Sequence, residues 1–466
     1  MDLKDIIHRK PDKLTFKSLL LLVAVLYIGV YFLTGNLLTQ LPTNWFTSWL
    51  GGVFSLMDEH GFVNVWSGQS PGFHYFYYLA WKPAQLLSGD QWYFAGVFSL
   101  FWYFWSIGAL FVSVYFFYKI MEHLAGEQKA IVLGLVYTTL FLTFEWFKVV
   151  DSIAIAALLG AVYYCLKGSV KTAGILLGIG AIIKPFGLLV LPVVLRSEFL
   201  TLRKKILFSA ASLASFGALL LPFIIGNFNI FMSSFRWQSG RPPWETVYAL
   251  ALKLTGQPVP ADPFFQDYSG IAQRDWGWTG ITPIHSMMTT TVPDYQHWYG
   301  IVFMLLAGAA VLALFYFKRF RSEQEFIWGI LFVFLVYFAL FYGWSANFFF
   351  WLAPFFLICL PISFSFLLRL LVLIEYPLLY GLYLAHIAPD LVTSVSGLPA
   401  SLTSALAPLG IGYWVIIIAR TLLFLAVAWL AWKKLATQPL LIPLKVYCQW
   451  FREFRAGNAR ISDLLR

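Results

Sequence analysis

Charge is scarce in this chain. Only 12% of its 466 residues are Asp, Glu, Lys or Arg, about half the share of a soluble domain. That argues against a protein surrounded on all sides by water. Cysteine is scarcer still. Cys165, Cys359 and Cys448 sit in or beside apolar or basic segments with no metal-ligand spacing, which leaves no basis for a metal site or a disulfide framework. No glycine-rich phosphate loop stands in a strand-to-helix context, so nothing points to a nucleotide-sugar site. An internal repeat of the transporter kind is also missing.

Apolar residues are what the chain has in excess. They make up 60% of it, and the mean hydropathy is +0.74. Runs near 18–34, 94–118, 130–147, 152–166, 173–195, 206–225, 299–317, 326–343, 347–368, 370–386 and 411–431 read as membrane spans, several of them beyond the ~18 apolar residues a span requires. The expected fold is therefore an all-α polytopic membrane protein. The net charge of +10 reads as basic cytoplasmic loops rather than as a nucleic-acid surface. A charged N-terminus followed by a long apolar run reads as a retained first span, not a cleaved leader.

The polar joints carry the orientation. "KDIIHRKPDKLTFK", "KGSVK", "RSEFLTLRKK", "KRFRSEQE" and the tail 432–466 are rich in Lys and Arg, which places them, and both termini, in the cytoplasm. "KGSVK" and "RSEFLTLRKK" flank the run 173–195. Both can be inside only if that run enters the membrane and returns. Pro185 cannot continue a helix, so the reversal falls at Lys184-Pro185. Each arm is then about half a bilayer long, and Lys184 sits at the tip. Counting the hairpin as two helices gives about twelve transmembrane helices. Two large outer loops remain, 35–93 and 227–298, both aromatic-rich and expected to carry amphipathic helices on the membrane surface.

Three settings of charged residues stand out besides Lys184. Asp58-Glu59 closes the run "WLGGVFSLMDEHG", Asp151 opens the span "DSIAIAALLGAVYY", and Arg241 and Glu245 lie in "SFRWQSGRPPWETVYAL". Each has a plain structural reading as well. Asp151 suits a first helical turn, Asp58-Glu59 a solvated helix end, and Arg241/Glu245 a surface ion pair. A lysine within the membrane is harder to explain structurally, because burying its charge is costly.

These stretches, in this order, resemble the GT-C glycosyltransferases, polytopic enzymes that take sugar from polyprenyl-phosphate donors. The likeness is to the alpha-mannosyltransferase-like branch that includes mycobacterial phosphatidylinositol-mannoside mannosyltransferases. "DSIAIAALLGAVYYCLKGSVKTAGILLGIGAIIKPFGLLVLPVVL" resembles that branch's Asp-initiated span, basic loop, small-residue span and Lys-Pro. "SGRPPWETVYAL" is similar to its Arg and Glu-Ser pair, with Thr246 in place of Ser. "WSANFFFWLAPFFL" resembles its late Trp and Pro pattern, with Ala346 and Asn347 as departures. "QSPGFHYFYYL", which includes His74, resembles the end of its first outer loop.

The resemblance implies a single membrane domain over 1–466 and transfer of mannose or another hexose to a lipid, glycan or protein acceptor on the non-cytoplasmic face of the plasma membrane. The lipid-linked sugar is the donor, and no metal or other cofactor is implied. An inverting transfer needs a carboxylate base and a stabilised leaving phosphate. Lys184 and Arg241 would hold the phosphate, and Asp151 would orient the sugar or support Lys184. Glu245, Trp244, Asn44 and His74 would line the substrates. The branch often has an aspartate as base just after the first span, where this chain has Asn44. The role is then expected at Asp58 or Glu59, with Asp58 the first choice. A polysaccharide polymerase or ligase, and a flippase or transporter, stand as alternatives.

Overall fold

The computed structural model describes residues 16, 18–25, 53–65, 70–88, 94–142, 149–229, 231–232, 246–255, 298–343, 348–374 and 411–437. These are almost wholly helical. The helices are α1 (18–25), α2 (53–60), α3 (Lys82–Ser88), α4 (Phe94–Ala125), α5 (Glu127–Leu142), α6 (Val149–Leu166), α7 (Val170–Ile183), α8 (Leu191–Arg196), α9 (Leu202–Gly226), α10 (Val247–Leu254), α11 (Trp298–Phe317), α12 (Glu323–Leu340), α13 (Phe349–Cys359), α14 (Ile362–Leu373) and α15 (Ile411–Lys434). Tight 3-10 turns cover Pro71–Tyr75 and Pro185–Val190.

Among the described residues, five stretches are long and apolar enough to cross a membrane: Ile107–Ala125, Leu202–Gly226, Gly300–Phe317, Glu323–Leu340 and Trp414–Lys434. Shorter apolar helices, α6, α7, α13 and α14 among them, accompany these. The run 347–368 is not one continuous span. It breaks into α13 and α14 at Leu360-Pro361, where Leu360 is extended (φ −121°, ψ 161°). Proline offers no N–H and disfavours helical geometry in the residue before it, so the helix stops there.

Local sequence starts and stops several helices. Ser322 caps α12 by accepting from the Glu325 N–H at 3.2 Å, while Glu325 Oε2 accepts from the Arg321 N–H at 2.7 Å. This is close to a reciprocal capping box. Gly126 and Gly168 adopt positive φ (86° and 73°) at the joints α4–α5 and α6–α7, where a residue with Cβ would be strained.

Packing depends on where the small residues fall. α6 lies between α4 and α7, and α7 lies on α9. Gly174 and Gly178 of α7 face α9 so closely that a Cβ at Gly174 would fall 2.8 Å from that of Ala211, and one at Gly178 would fall 2.8 Å from the Phe216 nitrogen. Small residues on a helix face allow this approach, as in membrane helix pairs. α12 is the central element of the second half. It is buried along most of its length and packs on α11, α13 and α15. α11, in contrast, exposes Ile301, Met304, Leu305 and Leu312, as a lipid-facing helix does.

The basic joints meet at one end. Lys318–Arg319 (β1) pairs with Ala436–Thr437 (β2), antiparallel, and Phe320 bridges to Ser197. Arg319 pairs with Glu198 at 2.7 Å. His123 lies 2.9 Å from Glu323 and 3.3 Å from the Lys167 ammonium. The Cβ position of Gly168 is 3.3 Å from Lys204 Nζ. The segments after α4, α6, α8, α11 and α15 therefore converge. The run after α7 also folds back, because a Cβ at Gly187 would lie 3.4 Å from Leu177, ten residues earlier.

Candidate functional site

At the other end of α7 the helix stops at Lys184. Its backbone is extended (φ −143°, ψ 117°), and its N–H still donates to Gly180 O at 3.0 Å. Pro185 begins the 3-10 turn that reverses the chain. The Lys184 side chain is half-buried. Among the described residues its ammonium makes no hydrogen bond or ion pair.

Three other segments meet this turn. Ser70 donates its hydroxyl to the Ile183 carbonyl, and Gly72 lies on the Ile182–Ile183 peptide, with its Cβ position 2.6 Å from Ile182 C. On the far side, the Phe186 ring packs on Trp351 (5.5 Å between centroids), Phe348 (5.1 Å) and Phe338 (5.5 Å). Trp351, fully buried in α13, donates its indole N–H to Asp151 Oδ1 at 3.4 Å. Asp151 is 2% exposed in the first turn of α6, where the helix dipole favours a carboxylate. A fourth segment joins through Phe341, whose ring lies 6.3 Å from Phe348 and 4.8 Å from Tyr342. The Thr246 hydroxyl, next to α10, donates to Tyr342 O at 3.3 Å. Segments 70–75, 182–186, 341–342 and 348–351, with Asp151 and Thr246, thus form one contiguous set among the described residues.

The first outer loop holds a second cluster. Asp58 Oδ1 accepts from the Tyr77 hydroxyl at 2.7 Å and from Lys82. Oδ2 accepts from Trp81 Nε1 at 2.8 Å and Gln85 Nε2 at 2.6 Å. Burial alone raises this carboxyl, but the bonds from Lys82, Tyr77, Trp81 and Gln85 outweigh it and hold it below the ordinary carboxylate value. The bond that Lys82 donates to Asp58 in turn raises Lys82. Glu59 beside it is exposed, with His60 3.8 Å away. His74 is buried between Phe62 and Phe223, edge-on to both (6.0 and 5.2 Å). Burial pushes its imidazole down to about 4, against a smaller opposing contribution from the Phe62 backbone, so it is neutral at physiological pH.

Of the residues singled out in the sequence, Asp151 and Lys184 fall into the contiguous set. His74 lies in the 70–75 segment of that set, with its ring against Phe62 and Phe223. The hydrogen bonds of Asp58 all go to residues 77–85. Asn44, Arg241, Trp244 and Glu245 lie outside the described residues. Sequence reasoning did not single out Ser70, Phe186 or Trp351 as site residues. Their partners are 113, 165 and 200 positions away, and no local pattern announces such contacts. Among the described residues, no three His, Cys, Asp or Glu side chains are grouped as a metal would need. No protein-family model and no curated protein matches the chain.

Proposed function

We propose that the chain is a GT-C-type membrane glycosyltransferase that moves a hexose, mannose in the first instance, from a polyprenyl-phosphate donor to a lipid, glycan or protein acceptor. In this reading it is a multi-pass protein of the plasma membrane. The basic end faces the cytoplasm in accordance with the positive-inside rule, and the Lys184 end faces outward. The supporting observation is the Lys184 ammonium itself. It stands at the break of a folded-back apolar segment, without an ion pair among the described residues, and within one contiguous set with the buried carboxylate Asp151. A charge kept in such a place calls for a function, and the phosphate of a donor whose tail lies in the bilayer would satisfy it.

The reaction needs few groups. The acceptor oxygen attacks the anomeric carbon as its proton passes to a carboxylate, and the carbon–oxygen bond to phosphate breaks with its electron pair going to the phosphate. Lys184, joined by Arg241, stabilises that leaving anion. Asp151, buried and held by Trp351, orients the sugar or supports Lys184. For the base, lone-pair occupancy favours Glu59 over the expected Asp58. Four donors already occupy both Asp58 oxygens, and a lowered pKa makes a weaker base.

Transfer of radiolabelled mannose from polyprenyl-phosphate-mannose, in membranes carrying wild-type or Lys184→Ala protein, tests the proposal. Wild type should transfer and Lys184→Ala should not. Equal transfer by the two removes the phosphate role. Transfer only from a pyrophosphate-linked donor would indicate a polymerase or ligase instead.

A further inference from the structure

We infer that Ser70 is a positioning residue for Lys184: the first outer loop, through Ser70 and Gly72, fixes the backbone that presents the ammonium. This rests on the phosphate-docking reading above. Helix α7 ends with carbonyls that have no partner within the helix. Gly180 O takes the Lys184 N–H, while Pro185 removes the donor that Ala181 O would otherwise receive. The Ile183 carbonyl belongs to the very peptide that leads into Lys184, and the Ser70 hydroxyl answers it.

Gly72 strengthens the contact. Its missing side chain lets loop backbone lie on helix backbone, since a Cβ would fall 2.6 Å from Ile182 C and 2.7 Å from Ile183 N. The Tyr75 hydroxyl anchors the same turn to Leu219 O of α9 at 2.7 Å. On the other side of Lys184, Phe186 is seated against Trp351 and Phe348. The lysine backbone is thus held before and after, while its side chain has no bond among the described residues. A fixed origin with an uncommitted charge suits a group whose partner arrives from outside the chain, because less conformational entropy is lost on binding.

The test is a double-mutant cycle on binding, using the full chain in detergent and tritiated polyprenyl phosphate as probe. Ser70→Ala should weaken binding about 3- to 10-fold, the size of one lost hydrogen bond. In a Lys184→Ala background it should have no further effect, because its influence passes through the lysine. Ser70→Thr keeps the hydroxyl and should bind like wild type, whereas Ser70→Val should bind like Ser70→Ala. The inference is overturned if Ser70→Ala binds like wild type, if it weakens binding equally in both backgrounds, or if both hydroxyl-free variants lose the fold, which would make the hydroxyl a structural cap. If Lys184→Ala itself binds the probe as tightly as wild type, the docking reading fails, irrespective of Ser70.

Discussion

The indole N–H of Trp351 points at Asp151 Oδ1, 3.4 Å away, so that the first turn of α13 supports a carboxylate in the first turn of α6. Both groups are almost completely buried. Trp351→Phe keeps the apolar packing but removes this donor, leaving a buried carboxylate less satisfied. We expect a loss of about 1–3 kcal/mol in stability, read as a lower unfolding temperature, together with slower sugar transfer. Unchanged stability and unchanged transfer would mean that the hydrogen bond has no consequence.

The two neighbouring acids of the first outer loop should separate. Glu59→Gln should slow transfer by about 10²–10⁴-fold with donor binding retained, as loss of a base does. Asp58→Asn should act on structure, because it removes the charge that Lys82 pairs with and that three neutral donors also contact. Hydrogen exchange over 53–88 should then speed up. If Asp58→Asn abolishes transfer without loosening the loop, the base is Asp58.

His74 gives the loop a pH dependence of known sign. Its folded value lies near 4, below the ordinary 6.5, so the unfolded loop binds the proton more readily. The stability it contributes is complete above 6.5 and is lost as the pH falls from there towards 4. Limited proteolysis of the first outer loop should accelerate across that window. His74→Phe should flatten the response; an unaltered profile would place its origin elsewhere.

Two glycines of the packed pair α7–α9 should behave oppositely. Gly178→Ala drives a Cβ into α9 near Ser212 and Phe216, whereas a Cβ at Gly217 meets nothing within 4 Å. The first should destabilise by about 1–3 kcal/mol through overpacking. The second should be neutral or stabilising by up to about 1 kcal/mol, the helix-propensity difference. Unfolding midpoints in detergent distinguish them.

The two ends of the molecule should face opposite sides of the membrane. Glu59→Cys and Lys171→Cys place exposed thiols at the two ends. An impermeant thiol reagent added outside intact cells should label the first and leave the second. Labelling of both, or of Lys171→Cys alone, would overturn the orientation drawn from the basic loops.

Apolar composition, the spacing of the apolar runs and the helix-breaking prolines are local properties, and the sequence by itself determined the features that rest on them. The mainly helical build of the described residues, the break at Lys184-Pro185 and the common end of the described basic joints were legible, because each depends on hydropathy, on a missing N–H, or on charge between neighbouring segments. The split at Pro361 was equally local, but the apolar run on either side hid it. Only the tertiary structure decided that Ser70 meets Ile183, that Trp351 meets Asp151, and that four donors surround Asp58. These contacts join residues 19 to 200 positions apart. The first two arise because close packing of the helices around α6 and α7, permitted by small residues, leaves a carbonyl and a carboxylate with few possible partners, whereas Asp58 is partly exposed at the end of α2 and is met by a later segment of the same loop. Which distant side chain answers them depends on how the helices stack, and no single stretch of the chain encodes that.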